Sequence, residues 1–164
     1  MDKAERVLAR LDALGISYTL ARHAAVSTIA ECALPEKLLG ALMPRNLFLC
    51  PRTRAHFCLL TAHPASVFRT GSISRQANSS RLSFAGAEDM AALLGTFPGA
   101  VSPLGLMFDT DRRVELLLDK RLAGEKELLF HPLDNTATLR LTLDSLLNVF
   151  LPACGHGVRY VEMD

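Results

Sequence analysis

Residues 45–62 read RNLFLCPRTRAHFCLLTA. Two apolar runs, Asn46 to Cys50 and Ala55 to Ala62, flank the turn Pro51-Arg52-Thr53-Arg54. Rigid, branched and aromatic side chains bounded by turn residues predict a β-hairpin. Pro44 punctuates the chain before it, and His63-Pro64 ends it. Toward the N-terminus, Asp2-x-x-Glu5 predicts a capping box. Val7, Leu8, Leu11 and Leu14 then share a helical face, and Gly15 closes the helix. Ile16, Tyr18 and Leu20 alternate with Ser17, Thr19 and Ala21, which predicts a strand. Thr28-x-x-Glu31 is a second capping box, interrupted at Pro35, and Glu36 to Met43 predicts another turn or two of helix.

Toward the C-terminus, Ser66 to Ser80 is polar, with a short central helix expected. Arg81 to Phe84 predicts a strand, and Glu88 to Leu94 a helix closed by Gly95. Leu104 to Phe108 and Val114 to Asp119 read as a second hairpin around Asp109 to Arg113. Leu128 to His131 and Ala137 to Leu141 are strands about the turn Pro132-Leu133-Asp134-Asn135. Leu143 to Phe150 is an amphipathic helix, and Val158 to Glu162 a closing strand. Hairpins mixed with helices, without strict βαβ alternation, predict an α/β chain of mixed α+β type. The expected architecture is a central mixed β-sheet surrounded by helices, with residues 1–164 as one domain.

Composition narrows the function. The 164 residues carry 18 Lys+Arg against 17 Asp+Glu, a formal net charge of +1. That excludes a protein gripping long nucleic acid mainly by its charge, and a polybasic membrane binder. No apolar run reaches the ~20 residues of a membrane span. The N-terminus is charged and lacks a secretory core, so a cytoplasmic protein with no membrane partner is expected. The four cysteines, Cys32, Cys50, Cys58 and Cys154, form no C-x-x-C pair, which predicts inert free thiols and no metal site. No G-x-G-x-x-G, P-loop or G-x-S-x-G pattern is present.

Three places offer chemistry. Pro44-Arg45-Asn46 stands at the mouth of a strand, where a planar guanidinium suits phosphate or carboxylate; a solvated strand-end charge is the commoner case. Pro98-Gly99-Ala100-Val101-Ser102-Pro103 is a small loop braced by prolines. Its N–H groups could meet a carbonyl oxygen, or it could be a rigid connector. Phe130-His131-Pro132-Leu133-Asp134-Asn135-Thr136 puts a histidine at a strand end, able to move protons or to cap a turn. His23, His56, His63 and His156 have no partner readable from spacing.

Taken together and in order, RNLFLC at 45–50, RLSFA at 81–85, PGAVSPLGL at 98–106, LLLDKRL at 116–122 and FHPLDNTAT at 130–138 resemble the prolyl-tRNA editing family. These are free-standing aminoacyl-tRNA deacylases of the ProX/YbaK type, related to the editing domain inserted in bacterial prolyl-tRNA synthetases. The resemblance extends to His23, Thr28 and Glu31 and to Cys154-Gly155-His156, and so covers essentially the whole chain. It implies a hydrolase that removes the amino acid from mischarged tRNA, with alanyl-tRNA(Pro) the first substrate to expect. It implies no cofactor, no metal and no covalent nucleophile. The partner is the tRNA acceptor end, with prolyl-tRNA synthetase a second candidate. A synthetase pocket shaped for proline excludes a smaller amino acid weakly, because missing methylenes are worth only about 1–3 kcal/mol, so a second hydrolytic sieve is needed.

By the same resemblance Arg45, Gly99 and His131 are the catalytic candidates. Thr28, Asn46, Ala100, Val101, Ser102, Pro103, Asn135 and Thr136 are the substrate-binding ones. Ile29, Leu47, Val101 and Leu104 are candidates for setting pocket volume. One departure matters: the family usually has lysine where this chain has Arg45, and the two are not interchangeable at a shaped site. That leaves a second reading, a non-catalytic binding module that lost turnover, and the near-neutral charge leaves a third, a small-molecule amino-acid-ester hydrolase without tRNA. Ala24, where the family often has proline, is a minor difference.

Overall fold

The structure, a computed structural model, describes residues 1–25 and 35–164. Thr28, Ile29, Glu31 and Cys32 lie outside the described residues. The 45–62 hairpin forms as β2 (Arg45–Pro51) and β3 (Phe57–Ala62), antiparallel, with Arg45 opposite Ala62 and Leu49 opposite Cys58. It is the middle of a five-stranded sheet in the order β4-β2-β3-β5-β8. β4 (Leu82–Phe84) pairs antiparallel with β2, whereas β5 (Val114–Asp119) and β8 (Arg159–Val161) run parallel to β3. A second, three-stranded antiparallel sheet sets β7 (Ala137–Thr142) between β1 (Thr19–Arg22) and β6 (Glu127–Phe130). The mixed sheet and its helices are as expected; the strands divide between two sheets rather than one.

The continuous apolar runs of β2, β3 and β5 follow from burial of the larger sheet on both faces. Phe48, Cys50, Phe57, Leu59, Leu116 and Leu118 enter one core, and Leu49, Cys58, Leu60 and Leu117 enter the other. The first core also takes Val7 and Leu11 of α1 (Lys3–Ala13) and Leu128, Phe130, Leu139 and Leu141 of the smaller sheet. α2 (Thr70–Gln76) covers the second face through Ile73. Each fully buried Leu or Phe contributes about 1.5–3 kcal/mol. α1 starts as its sequence dictates: the Glu5 N–H donates to Asp2 Oδ1 at 2.7 Å, and the Asp2 N–H donates to Glu5 Oε2 at 3.1 Å.

The predicted second hairpin is corrected. Pro103–Phe108 is a 3₁₀ turn, started by the Ser102 hydroxyl accepting from the Leu104 N–H, with proline at its first position. Gly105 lets this turn press on Leu94, since a β-carbon there would lie 2.6 Å from the Leu94 carbonyl. β5 therefore has no hairpin partner in Leu104 to Phe108 and docks beside β3 instead. The helix expected from Glu88 runs from Ala87–Asp89 into a wider π turn, Met90–Leu94, and Gly95 closes it at φ +65°.

Candidate active site

The antiparallel pairing of β2 with β3 sets Asn46 opposite Thr61. The buried Thr61 hydroxyl donates to Asn46 Oδ1 at 2.7 Å. This fixes the carboxamide and leaves its NH₂ end to act as the donor. Arg45, at the strand's mouth, is exposed, and its Nη1 donates to the Ser66 carbonyl at 3.2 Å.

β6 delivers His131 into the turn before β7. In that turn the Asp134 carboxylate accepts the Thr136 N–H at 2.8 Å and the Thr136 hydroxyl at 2.7 Å. Those two bonds hold the Asp134 carboxyl below its usual range. His131 is 8% exposed, and its Nδ1 lies 2.8 Å from the Ala137 carbonyl. A carbonyl only accepts, so Nδ1 carries the proton and Nε2 keeps its lone pair. Burial pushes the His131 pKa below its ordinary value; the Ala137 bond opposes this, nearby His23 adds to it, and Asp134 opposes it.

His23 stands behind this ring, with centroids 6.2 Å apart. Its Nδ1 meets the Ala24 carbonyl at 2.7 Å and its Nε2 meets Thr138 Oγ1 at 2.7 Å. By the same logic Nδ1 donates to the Ala24 carbonyl, and Nε2 shares a hydrogen bond with the Thr138 hydroxyl. Thr138 Oγ1 also lies 3.4 Å from His131 Nδ1. The fully buried Thr138 thus links the two imidazoles through its hydroxyl. Spacing gave no sign of this, because His23 and Thr138 are 115 positions apart.

The proline-braced loop reaches the same place. Gly99 sits at φ +99°, a conformation that favours glycine. Ala100 is fully buried behind it, with its N–H on the Phe97 carbonyl at 3.1 Å and its own carbonyl accepting the Thr96 hydroxyl at 2.9 Å.

Arg45, Asn46, Gly99, Val101 and His131 line one cavity of about 280 Å³, walled also by Met43, Pro44, Leu47, Leu129 and Phe130. Of the expected residues, Ala100, Ser102 and Pro103 are buried and do not line it, and Leu104 is core. Asn135 approaches from the β6–β7 turn: a β-carbon on Gly99 would lie 3.9 Å from its Nδ2. Thr136 shapes the turn through Asp134. Met43, Leu129 and Phe130 are walls that the sequence did not single out. Among the described residues no group of three or more His, Cys, Asp or Glu is arranged to hold a metal ion. Cys58 is buried and its thiol is pushed up to about 12, so it is no nucleophile at neutral pH.

The sequence pattern of the aminoacyl-tRNA editing domain matches residues 23–149, which include all of these cavity residues. The chain belongs to this family. It is 32% identical to the prolyl-tRNA editing protein ProX of Acetoanaerobium sticklandii over 99% of both chains. It is 31% identical to the prolyl-tRNA synthetase associated domain-containing protein 1 of Danio rerio, over 94% of this chain and 84% of that one. Among solved structures, a candidate trans-editing enzyme for prolyl tRNA synthetase superposes with a TM-score of 0.74 over 98% of this chain and 97% of that chain. At 21% identity that likeness establishes the editing-domain fold.

Proposed function

We propose that this chain is an aminoacyl-tRNA deacylase that acts in trans, with alanyl-tRNA(Pro) as its first substrate and the whole chain as one editing unit. The observation that carries the reading is the meeting of Arg45, Asn46, Gly99, Val101 and His131 around one cavity of about 280 Å³. That volume is at the small end for ligand pockets and suits a small aminoacyl ester. The prolyl-tRNA editing protein among the relatives supports the same reading.

In this reading the neutral His131 offers Nε2 as a base or acceptor for the attacking water, or for a ribose hydroxyl that relays its proton. The ester carbonyl is polarised by backbone N–H groups of the Gly99 loop. Gly99 and Val101 are the loop residues for that task, because the Ala100 N–H is already bonded to Phe97. Arg45 takes a phosphate or ribose oxygen of the terminal nucleotide, and the Asn46 NH₂ steadies the substrate. Water attack on the ester expels the ribose oxygen, which takes a proton, and free amino acid leaves. No metal or cofactor is assigned. Recognition confined to the single-stranded acceptor end agrees with a net charge of +1. In the cytoplasm, contact confined to the acceptor end leaves room for prolyl-tRNA synthetase to share the substrate.

Incubation with alanyl-, cysteinyl-, seryl- and threonyl-tRNA tests the reading. Hydrolysis of at least one is expected, alanyl-tRNA(Pro) first; none above the uncatalysed rate overturns it. The replacement of the family lysine by Arg45 favours one other reading, a binding module without turnover. Activity that appears only in Arg45→Lys would select it.

A further inference from the structure

Arg45 does not stand alone at its strand end. β2, β3 and β5 are neighbours, and the start of β2 lies beside the ends of β3 and β5: Arg45 faces Ala62, and Thr61 faces Leu118. The turn leaving β3 brings Ser66 back over this end. Ser66 is 2% exposed, and its N–H donates to the His63 carbonyl at 2.9 Å. Its hydroxyl donates to Asp119 Oδ2 at 2.5 Å and accepts from Arg121 Nη1 at 3.2 Å. Asp119 is fully buried, and also accepts the His63 N–H and the Arg121 N–H, each at 3.0 Å. The Ser66 carbonyl that receives Arg45 Nη1 is therefore held from three sides. A long exposed side chain loses rotamer entropy when it is ordered, and a fixed acceptor supplies that ordering before substrate arrives.

We propose that Ser66, held by Asp119, is the positioning residue that braces the Arg45 guanidinium at the mouth of the cavity. The inference rests on the substrate-holding role given to Arg45 above. A guanidinium can spend one terminal nitrogen on Ser66 and keep its other donors for an anion. A single ammonium cannot divide itself between separate nitrogens in this way. The brace is thus fitted to the forked guanidinium of Arg45.

The test is a double-mutant cycle on the full chain: Ser66→Ala, Arg45→Lys and the pair, read by steady-state deacylation of the aminoacyl-tRNA the protein hydrolyses. Ser66→Ala alone is expected to raise KM about three- to tenfold with kcat within about twofold, and to have less than a twofold effect in the Arg45→Lys background. Equal losses in both backgrounds, or no loss in either, overturn the proposal. Asp119→Asn provides a second variant, expected to reproduce the KM effect. A direct readout does not depend on activity: ¹⁵N relaxation of the Arg45 Nε–H. It is expected to be ordered in the native protein and mobile in Ser66→Ala. Unchanged mobility in Ser66→Ala overturns the brace. A native protein that hydrolyses no aminoacyl-tRNA yet shows the ordered-to-mobile change overturns only the functional reading.

Discussion

Two turns of this chain each carry a buried imidazole beside a cavity of similar size, and the rings are tied differently. His131 borders the cavity of about 280 Å³, and His156 borders one of about 270 Å³. His156 faces acceptors on both sides: Asp109 Oδ2 lies 3.0 Å from its Nε2 and the Cys154 carbonyl 3.1 Å from its Nδ1. Both its nitrogens are engaged by oxygens of the protein itself. The same Asp109 carboxylate also accepts the N–H groups of Arg113 and Val114, at 3.0 and 2.8 Å. This imidazole therefore fastens the C-terminal loop to the start of β5. His131 spends Nδ1 on a carbonyl and retains a base at Nε2. A histidine beside a cavity becomes a chemical candidate through the partners of its nitrogens, and cavity size does not separate the two.

The comparison can be broken most directly by truncating each ring. His131→Ala is expected to lower deacylation kcat/KM of the folded protein by about a hundredfold or more, the scale of a lost general base, and to cost about 1–3 kcal/mol in urea unfolding because the Ala137 carbonyl loses its donor. An active His131→Ala protein would remove the ring from the mechanism. His156→Ala is expected to act on stability alone, because it leaves the buried Asp109 carboxylate without its imidazole. A loss of about 1.5–3 kcal/mol is the usual cost of losing a buried hydrogen bond to a charged group, measured by urea unfolding, with kcat of the folded fraction kept. A smaller effect comes from Gly99→Ala. The added methyl meets nothing closer than 3.9 Å, so the cost is backbone strain at φ +99°, about 1–3 kcal/mol.

The last prediction uses pH. Burial lowers the His131 midpoint below the ordinary 6.5. The groups facing it are His23, which lowers it further, and Asp134, which raises it. The unfolded chain then binds the proton more readily than the folded one. The stability contribution is full above about 6.5 and is lost as pH falls through the folded midpoint. The acid limb of kcat/KM should accordingly lie below 6.5 and move upward in His23→Gln. A limb at or above 6.5 in the native protein would contradict the burial account.

Much of the fold was legible because its signals are local. The Asp2–Glu5 capping box, the 45–62 hairpin and the 132–135 turn are each decided by residues a few positions apart. The failure at Leu104 to Phe108 has a local cause too. Its apolar run resembles a strand, but Ser102 and Pro103 start a helical turn there. The parallel docking of β5 depends on contacts 57 positions apart, which no window of sequence contains. The site divides in the same way. Arg45, Asn46, Gly99, Val101 and His131 sit in readable motifs and do line the cavity. Ala100, Ser102 and Pro103 share a motif with them yet face inward, because a loop's sequence does not say which side chains its backbone turns toward the core. His23 and Thr138 act behind His131 through a contact between distant segments, with no periodicity to announce it.

The place of β8 has a consequence for the order of folding. Residues 159–161 add the last strand to the larger sheet, parallel to β5, and Val161 closes its second core. A nascent chain that has already made β2, β3 and β5 still exposes the β5 edge and the apolar patch beneath Val161. The sheet is completed only when this strand docks, and until then the open β5 edge is the part of the sheet most exposed to pairing with another chain.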